Sequence, residues 1–154
     1  MKDRDDWQLT PDGVARALAH LMPRSAGTVV REAFYGATRF DELLRRTGLP
    51  RSVLATQLES LTANGMLVKV PYREAGDRVR QEYRLTERGR SMGVALVALI
   101  DWSRRWLPEQ PSPRAETVHV GCGAVVHAAL ECEAGHAHLD IADVEAVVRT
   151  PGPG

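Results

Sequence analysis

Two short stretches of this 154-residue chain place its only cysteines beside histidine: His119-Val120-Gly121-Cys122 and Cys132-Glu133-Ala134-Gly135-His136. Thiolate and imidazole are ligands that zinc prefers. Two loops that each carry both suggest a zinc ribbon, with His119, Cys122, Cys132 and His136 as a Cys2His2 set. A complete ribbon would show a second C-x-x-C, whereas here Gly135 stands at the fourth-cysteine position with His136 next to it. The other reading of the same residues is a small β-rich module that holds no metal and uses Cys122 and Cys132 as buried apolar side chains. No other cofactor is called for. Two cysteines cannot build a disulfide scaffold. No carboxylate stands at a metalloprotease-like spacing and no nucleophile–base arrangement stands out, so an enzyme is not expected.

The second chemical feature is a run of arginines. The chain as a whole has no net charge, but the charge is unevenly spread. Residues 1–23 hold three basic and four acidic side chains, residues 24–107 fifteen and nine, and residues 108–154 two and seven. A basic middle between acidic ends can turn one surface toward a polyanion. Hydrophobic residues make up 44% and charged residues 26%, enough for an ordinary core. No apolar run reaches the roughly 18 residues of a membrane span. The charged start, Met1-Lys2-Asp3-Arg4-Asp5-Asp6, has no apolar stretch behind it. A signal peptide is therefore not expected, and the expected location is cytoplasmic, away from membranes.

The elements that must position these side chains are mostly helical. Thr10-Pro11-Asp12 is a helix start, with Val14, Leu18 and Leu21 at helical spacing and Pro23 as the breaker. A second helix spans about Ser25 to Tyr35. A third runs from near Arg39 to Gly48 on Phe40, Leu43 and Leu44, and a fourth from about Pro50 to Asn64-Gly65 on Leu54, Leu58 and Leu61. The period then changes: Met66 to Val70 and Val79 to Leu85 read as two strands of a hairpin around Glu74-Ala75-Gly76-Asp77. A last long helix is expected from Thr86-Glu87-Arg88 to about Leu107. Three prolines within residues 108–113 mark a stiff linker. The expected organisation is an arm (1–10), a main domain (11–107), the linker (108–113), a small C-terminal module (114–150) and a tail (151–154). The fold class is mainly α with a β-hairpin wing, that is, a winged helix-turn-helix, plus the β-rich module.

Three runs carry a specific resemblance: Arg39-Phe40-Asp41-Glu42-Leu43, then Leu54 and Leu58 through Leu61 to Gly65, then Arg80-Gln81-Glu82-Tyr83-Arg84-Leu85-Thr86-Glu87-Arg88-Gly89. In this order they resemble the HxlR family of winged helix-turn-helix transcription regulators, relatives of the MarR group. The resemblance implies a homodimer that binds near-palindromic operators in double-stranded DNA, commonly as a repressor, and that responds to a small molecule or to oxidants. The chain departs from the family at Ala55-Thr56-Gln57, where relatives commonly show Thr-Gln-Arg. It also has no cysteine before Cys122, so the family's oxidant sensing through an N-terminal cysteine does not carry over. Some relatives with a C-terminal extension show H-x-x-C-G followed by C-x-x-C-G, which the stretch around His119 and Cys132 resembles in degenerate form.

The fourth helix is the expected reader of bases. With Leu54 inward, the roughly 100° step puts Ser52, Ala55, Thr56 and Glu59 on the outer face. Arg51, Ser52, Thr56 and Gln57 are the candidates for base contact: arginine suits guanine, glutamine suits adenine, and hydroxyls suit either bases or phosphate. Arg73, Arg78 and Arg80 on the wing, with Thr38 and Arg39 before the third helix, are candidates for phosphate. In the last helix, Met92 to Ile100 has no polar side chain. A helix apolar all round must be covered all round, which calls for a second subunit. Leu96, Leu99, Ile100, Trp102 and Trp106 are the candidate interface, and the two tryptophans could instead wall an effector cavity near it. Trp7 has no assigned place. A competing function is a winged-helix protein-interaction module without sequence-specific DNA binding, which the neutral charge and the altered fourth helix would suit.

Overall fold

The computed structural model describes residues 13–21, 24–73, 79–107 and 116–145. Trp7, Thr10-Pro11-Asp12, Pro23, the hairpin turn with Arg78, the linker 108–113 and the tail lie outside them. The chain divides into two compact units, one spanning Pro11–Leu96 and the other including residues 97–107 and 116–145.

In the first unit, four helices precede the hairpin: α1 (Gly13–Leu21), α2 (Arg24–Phe34), α3 (Phe40–Thr47) and α4 (Arg51–Ala63). Each boundary has a local cause. In α3, Asp41 and Glu42 sit in the first turn and Arg45 and Arg46 in the last, which complements the helix dipole. Gly48 ends that helix at φ 66°, and its N–H donates to the Leu44 carbonyl. Pro50 caps α4 from just outside the helix. At the other end of α4, Gly65 at φ 70° turns the chain and Met66 N–H donates to the Leu61 carbonyl at 2.9 Å.

The hairpin pairs β1 (Leu67–Tyr72) antiparallel with β2 (Arg80–Leu85), in a register that sets Leu67 opposite Leu85 and Tyr72 opposite Arg80. On its other side β2 makes a bridge to Arg39. This leaves β1 at the edge, where Pro71 can sit without an N–H. Val29, Val30 and Ala33 of α2, Ala37, Leu43, the α4 leucines Leu54, Leu58 and Leu61, Met66, Leu67 and Leu96 form one core. Phe40 and Leu44 pack against it.

The expected long last helix is interrupted. It consists of α5 (Glu87–Ser91) and α6 (Gly93–Trp106), separated at Met92. Thr86 caps α5, its hydroxyl oxygen accepting from Gly89 N–H at 3.0 Å. Gly89 lies so close to β1 that a Cβ there would fall 2.2 Å from the Met66 carbonyl oxygen. Gly93 sits equally close to Phe34, its Cβ position being 2.7 Å from the ring. Between these two close approaches the turn tightens, with Met92 N–H donating to the Gly89 carbonyl. Two glycines fix where the break falls, and apolar periodicity alone does not show it.

The C-terminal extension departs from a strand-built module. Its β character is limited to two isolated bridges, Val118–Val125 and Glu131–Ala137, followed by a single 3-10 turn at Ile141–Asp143. Each bridge closes a tight turn around a glycine with positive φ, Gly123 at 72° and Gly135 at 86°.

Candidate nucleic-acid interface

The geometry of the site starts from the α3–α4 turn. With Leu54, Leu58 and Leu61 buried, α4 turns Ser52, Thr56 and Glu59 to the exterior, as the helical step requires. Arg51 is exposed at the head of α4, with its guanidinium 4.9 Å from the Phe40 ring and 3.2 Å from the Asp41 carboxylate. Both charged groups are open to solvent, so this pair aims the arginine more than it stabilises the fold. The Thr56 hydroxyl donates to the Ser52 carbonyl at 3.1 Å, leaving its oxygen free to accept. Gln57 is half-buried, one step round from the outermost face.

On the wing, Arg73 and Arg80 are exposed at the end of the hairpin next to its turn. Between the wing and the start of α3 lies a cavity of about 560 Å³, lined by Arg39, Arg45, Tyr72 and Arg80 together with Asp41 and Glu42. The Arg39 guanidinium lies over the Tyr72 ring, 4.7 Å from its centroid. Arg39 before α3, Arg45 on α3 and Arg80 on the wing bring three guanidinium groups to this groove, beside the Asp41 and Glu42 carboxylates of α3. Sequence reasoning missed Arg45 and Tyr72, because their neighbourhood depends on how the hairpin docks on α3.

Glu82 was missed as well, and it joins the wing to the helices. It is buried at 7% exposure, and Arg84 Nε donates to its Oε1 at 2.6 Å. The Thr38 hydroxyl donates to Oε2 at 3.4 Å, while Tyr83 N–H donates to the Thr38 carbonyl at 2.7 Å. Thr38 is therefore a tie between the α3 entrance and β2, where the sequence suggested a phosphate contact. The available sign was an acid flanked at two residues either side by Arg80 and Arg84, all three on one strand face.

The interface candidates separate into two groups. Leu96 is buried in the core of its own chain at 7% exposure, a correction to its expected place on a subunit interface. Gly93, Leu96 and Val97 are the buried residues of α6, so its apolar stretch is partly covered within the chain. The outward side keeps Val94, Leu99, Trp102 and Trp106 exposed, with Ile100 half-buried. On α1, Val14 and Leu18, which stand at helical spacing, are exposed too. The four metal candidates come together only as pairs: His119 Nδ1 lies 3.3 Å from Cys122 Sγ, and Cys132 Sγ lies 3.2 Å from His136 Nδ1. Among the described residues no three such ligands converge.

A short helix–turn–helix backed by an arginine-bearing two-stranded wing defines a DNA-binding transcription regulator of the winged helix-turn-helix class. The HxlR-like helix-turn-helix family matches residues 21–111, and the chain belongs to that family. It is 37% identical over 143 residues to HTH-type transcriptional regulators of Mycobacterium bovis and Mycobacterium tuberculosis, themselves uncharacterised, across 93% of this chain and 87% of theirs. The solved structure of PA1607, provisionally assigned as a transcription factor, superposes with a TM-score of 0.76 at 29% identity, covering 90% of this chain and 95% of that one. PA1374 of Pseudomonas aeruginosa shares the fold, with a TM-score of 0.59 at 24% identity over 92% of this chain and 96% of its own. Among the described residues no helix is long and apolar enough to cross a membrane.

Proposed function

We propose that two copies of this chain bind a near-palindromic operator as a homodimeric repressor, each inserting the first turns of α4 into the major groove. In this reading Arg51, Ser52, Thr56 and Gln57 meet base edges, while Arg39, Arg73, Arg78 and Arg80 meet phosphate. The observation that carries the reading is the exposed face of Arg51, Ser52 and Thr56 at the head of α4, beside the cationic groove under the wing. The exposed apolar side of α6 supports pairing through Leu99, Ile100, Trp102 and Trp106, with Val14 and Leu18 of α1 as further apolar surface. A small-molecule effector would act at this aromatic surface by changing how the two copies pair. Selection of bound duplexes from random DNA tests the proposal. It predicts two inverted half-sites about 34 Å apart, one turn of the duplex. No preference over scrambled competitor at low ionic strength would overturn it.

A further inference from the structure

The extension has no hydrophobic core of its own among its described residues. Across residues 116–145 no residue is buried, and Val120 and Ile141 stand open to solvent at 101% and 74% exposure. Yet the backbone is closed into two specific turns. A segment this small without a core usually needs a disulfide, a metal or a partner surface to hold it.

The two turns share one design. In the first, the His119 carbonyl accepts from Gly123 N–H at 2.8 Å, and His119 N–H donates to the Ala124 carbonyl at 2.9 Å. In the second, the Cys132 carbonyl accepts from Gly135 N–H at 2.9 Å, and Cys132 N–H donates to the His136 carbonyl at 3.0 Å. Each turn brings one thiol and one imidazole Nδ1 together, at 3.3 and 3.2 Å. Zinc bonds of about 2.3 Å to sulfur and 2.0–2.1 Å to nitrogen, at a tetrahedral angle, place S and N about 3.5 Å apart. Each turn thus holds one edge of a zinc tetrahedron to within a few tenths of an ångström. Gly121 leaves room for this arrangement, since a Cβ there would lie 2.9 Å from His119 Cε1. The region from residue 108 onward carries seven acidic and two basic side chains, which suits a dication.

We propose that His119, Cys122, Cys132 and His136 hold one zinc ion, and that this ion takes the place of a core in the C-terminal extension. Each turn supplies one thiol–imidazole edge; among the described residues no three such ligands converge, so the proposal requires the two turns to come together on the ion. The inference uses none of the residues assigned to DNA and stands or falls independently of the operator reading.

The test uses the full chain, reduced and stripped with a chelator, then titrated with zinc and with cobalt. The expected result is one zinc per chain, bound more tightly than about 0.1 µM, as structural zinc sites are. Cobalt should show the absorption of a tetrahedral thiolate site, and residues 116–145 should gain protection from protease when zinc is added. Cys132→Ser and His119→Ala should each weaken binding by more than about 100-fold, while far-ultraviolet circular dichroism shows the helical unit unchanged. Weaker binding, two ions per chain, binding retained in the Cys122→Ser/Cys132→Ser variant, or a Cys122–Cys132 disulfide in place of metal would overturn the proposal.

Discussion

The unit spanning Pro11–Leu96 and the extension of residues 116–145 solve the same problem by different means. In the first, Leu43, Leu54, Leu58, Leu61 and Leu67 are fully buried, and they come from α3, α4 and β1. Each side chain supports elements distant in sequence, so the fold is held by area removed from water. In the second, order comes from glycine turns and polar side chains: Gly123, Gly135, the His–Cys pairs and the Asp140 cap. Asp101 of α6 adds to this by accepting from Ala128 N–H at 3.1 Å and facing His127 Nδ1 at 3.4 Å. A core tolerates many side chains if volume is kept. A polar cross-link fails when any one of its atoms is missing.

The sharpest way to break this contrast is at the core. Leu58→Ala removes a fully buried side chain and should cost about 2–5 kcal/mol, read from the urea midpoint of the helical unit. Chelator should leave that midpoint where it is; a shared shift would mean that the two regions do not hold themselves together by separate means. Next in size is Leu99→Glu, on the exposed side of α6. A carboxylate there should weaken dimerisation by at least about 2 kcal/mol through desolvation. An undiminished dimer in sedimentation would place the subunit contact elsewhere, whereas the same change at buried Leu96 would report only on folding.

Arg51→Ala should alter base preference at one position of each half-site by about 1–3 kcal/mol. Arg73→Ala should instead weaken all duplexes alike and lower the salt slope by about one. Exchange of these two patterns would reverse the assignment of helix to bases and wing to phosphate. The smallest effect belongs to the extension: Glu133→Lys should leave the affinity for specific duplex within about 0.5 kcal/mol, measured by anisotropy. A large gain would bring this acidic region into contact with DNA.

Much of the helical unit was legible before any coordinates. The α3–α4 turn, the buried α4 leucines and the presence of the hairpin follow from spacing, because helix and strand periods are local properties of the backbone. The same holds for the helix ends at Gly48 and Gly65, where the chain must adopt positive φ. The outward set Ser52, Thr56 and Glu59 follows directly from the position of the leucines. The extension was less legible, since its two turns are too short to leave a periodic pattern.

The sequence by itself determined where most of the helices, the wing and the two His–Cys stretches lie, because those depend on neighbours within a few residues. Only the tertiary structure decided that Leu96 faces the core, that the Thr38 hydroxyl meets Glu82 and that α5 and α6 part at Met92. It also set Arg39 over Tyr72. Each of these depends on surfaces brought together from distant parts of the chain, and packing between such surfaces has no period that a single sequence can display.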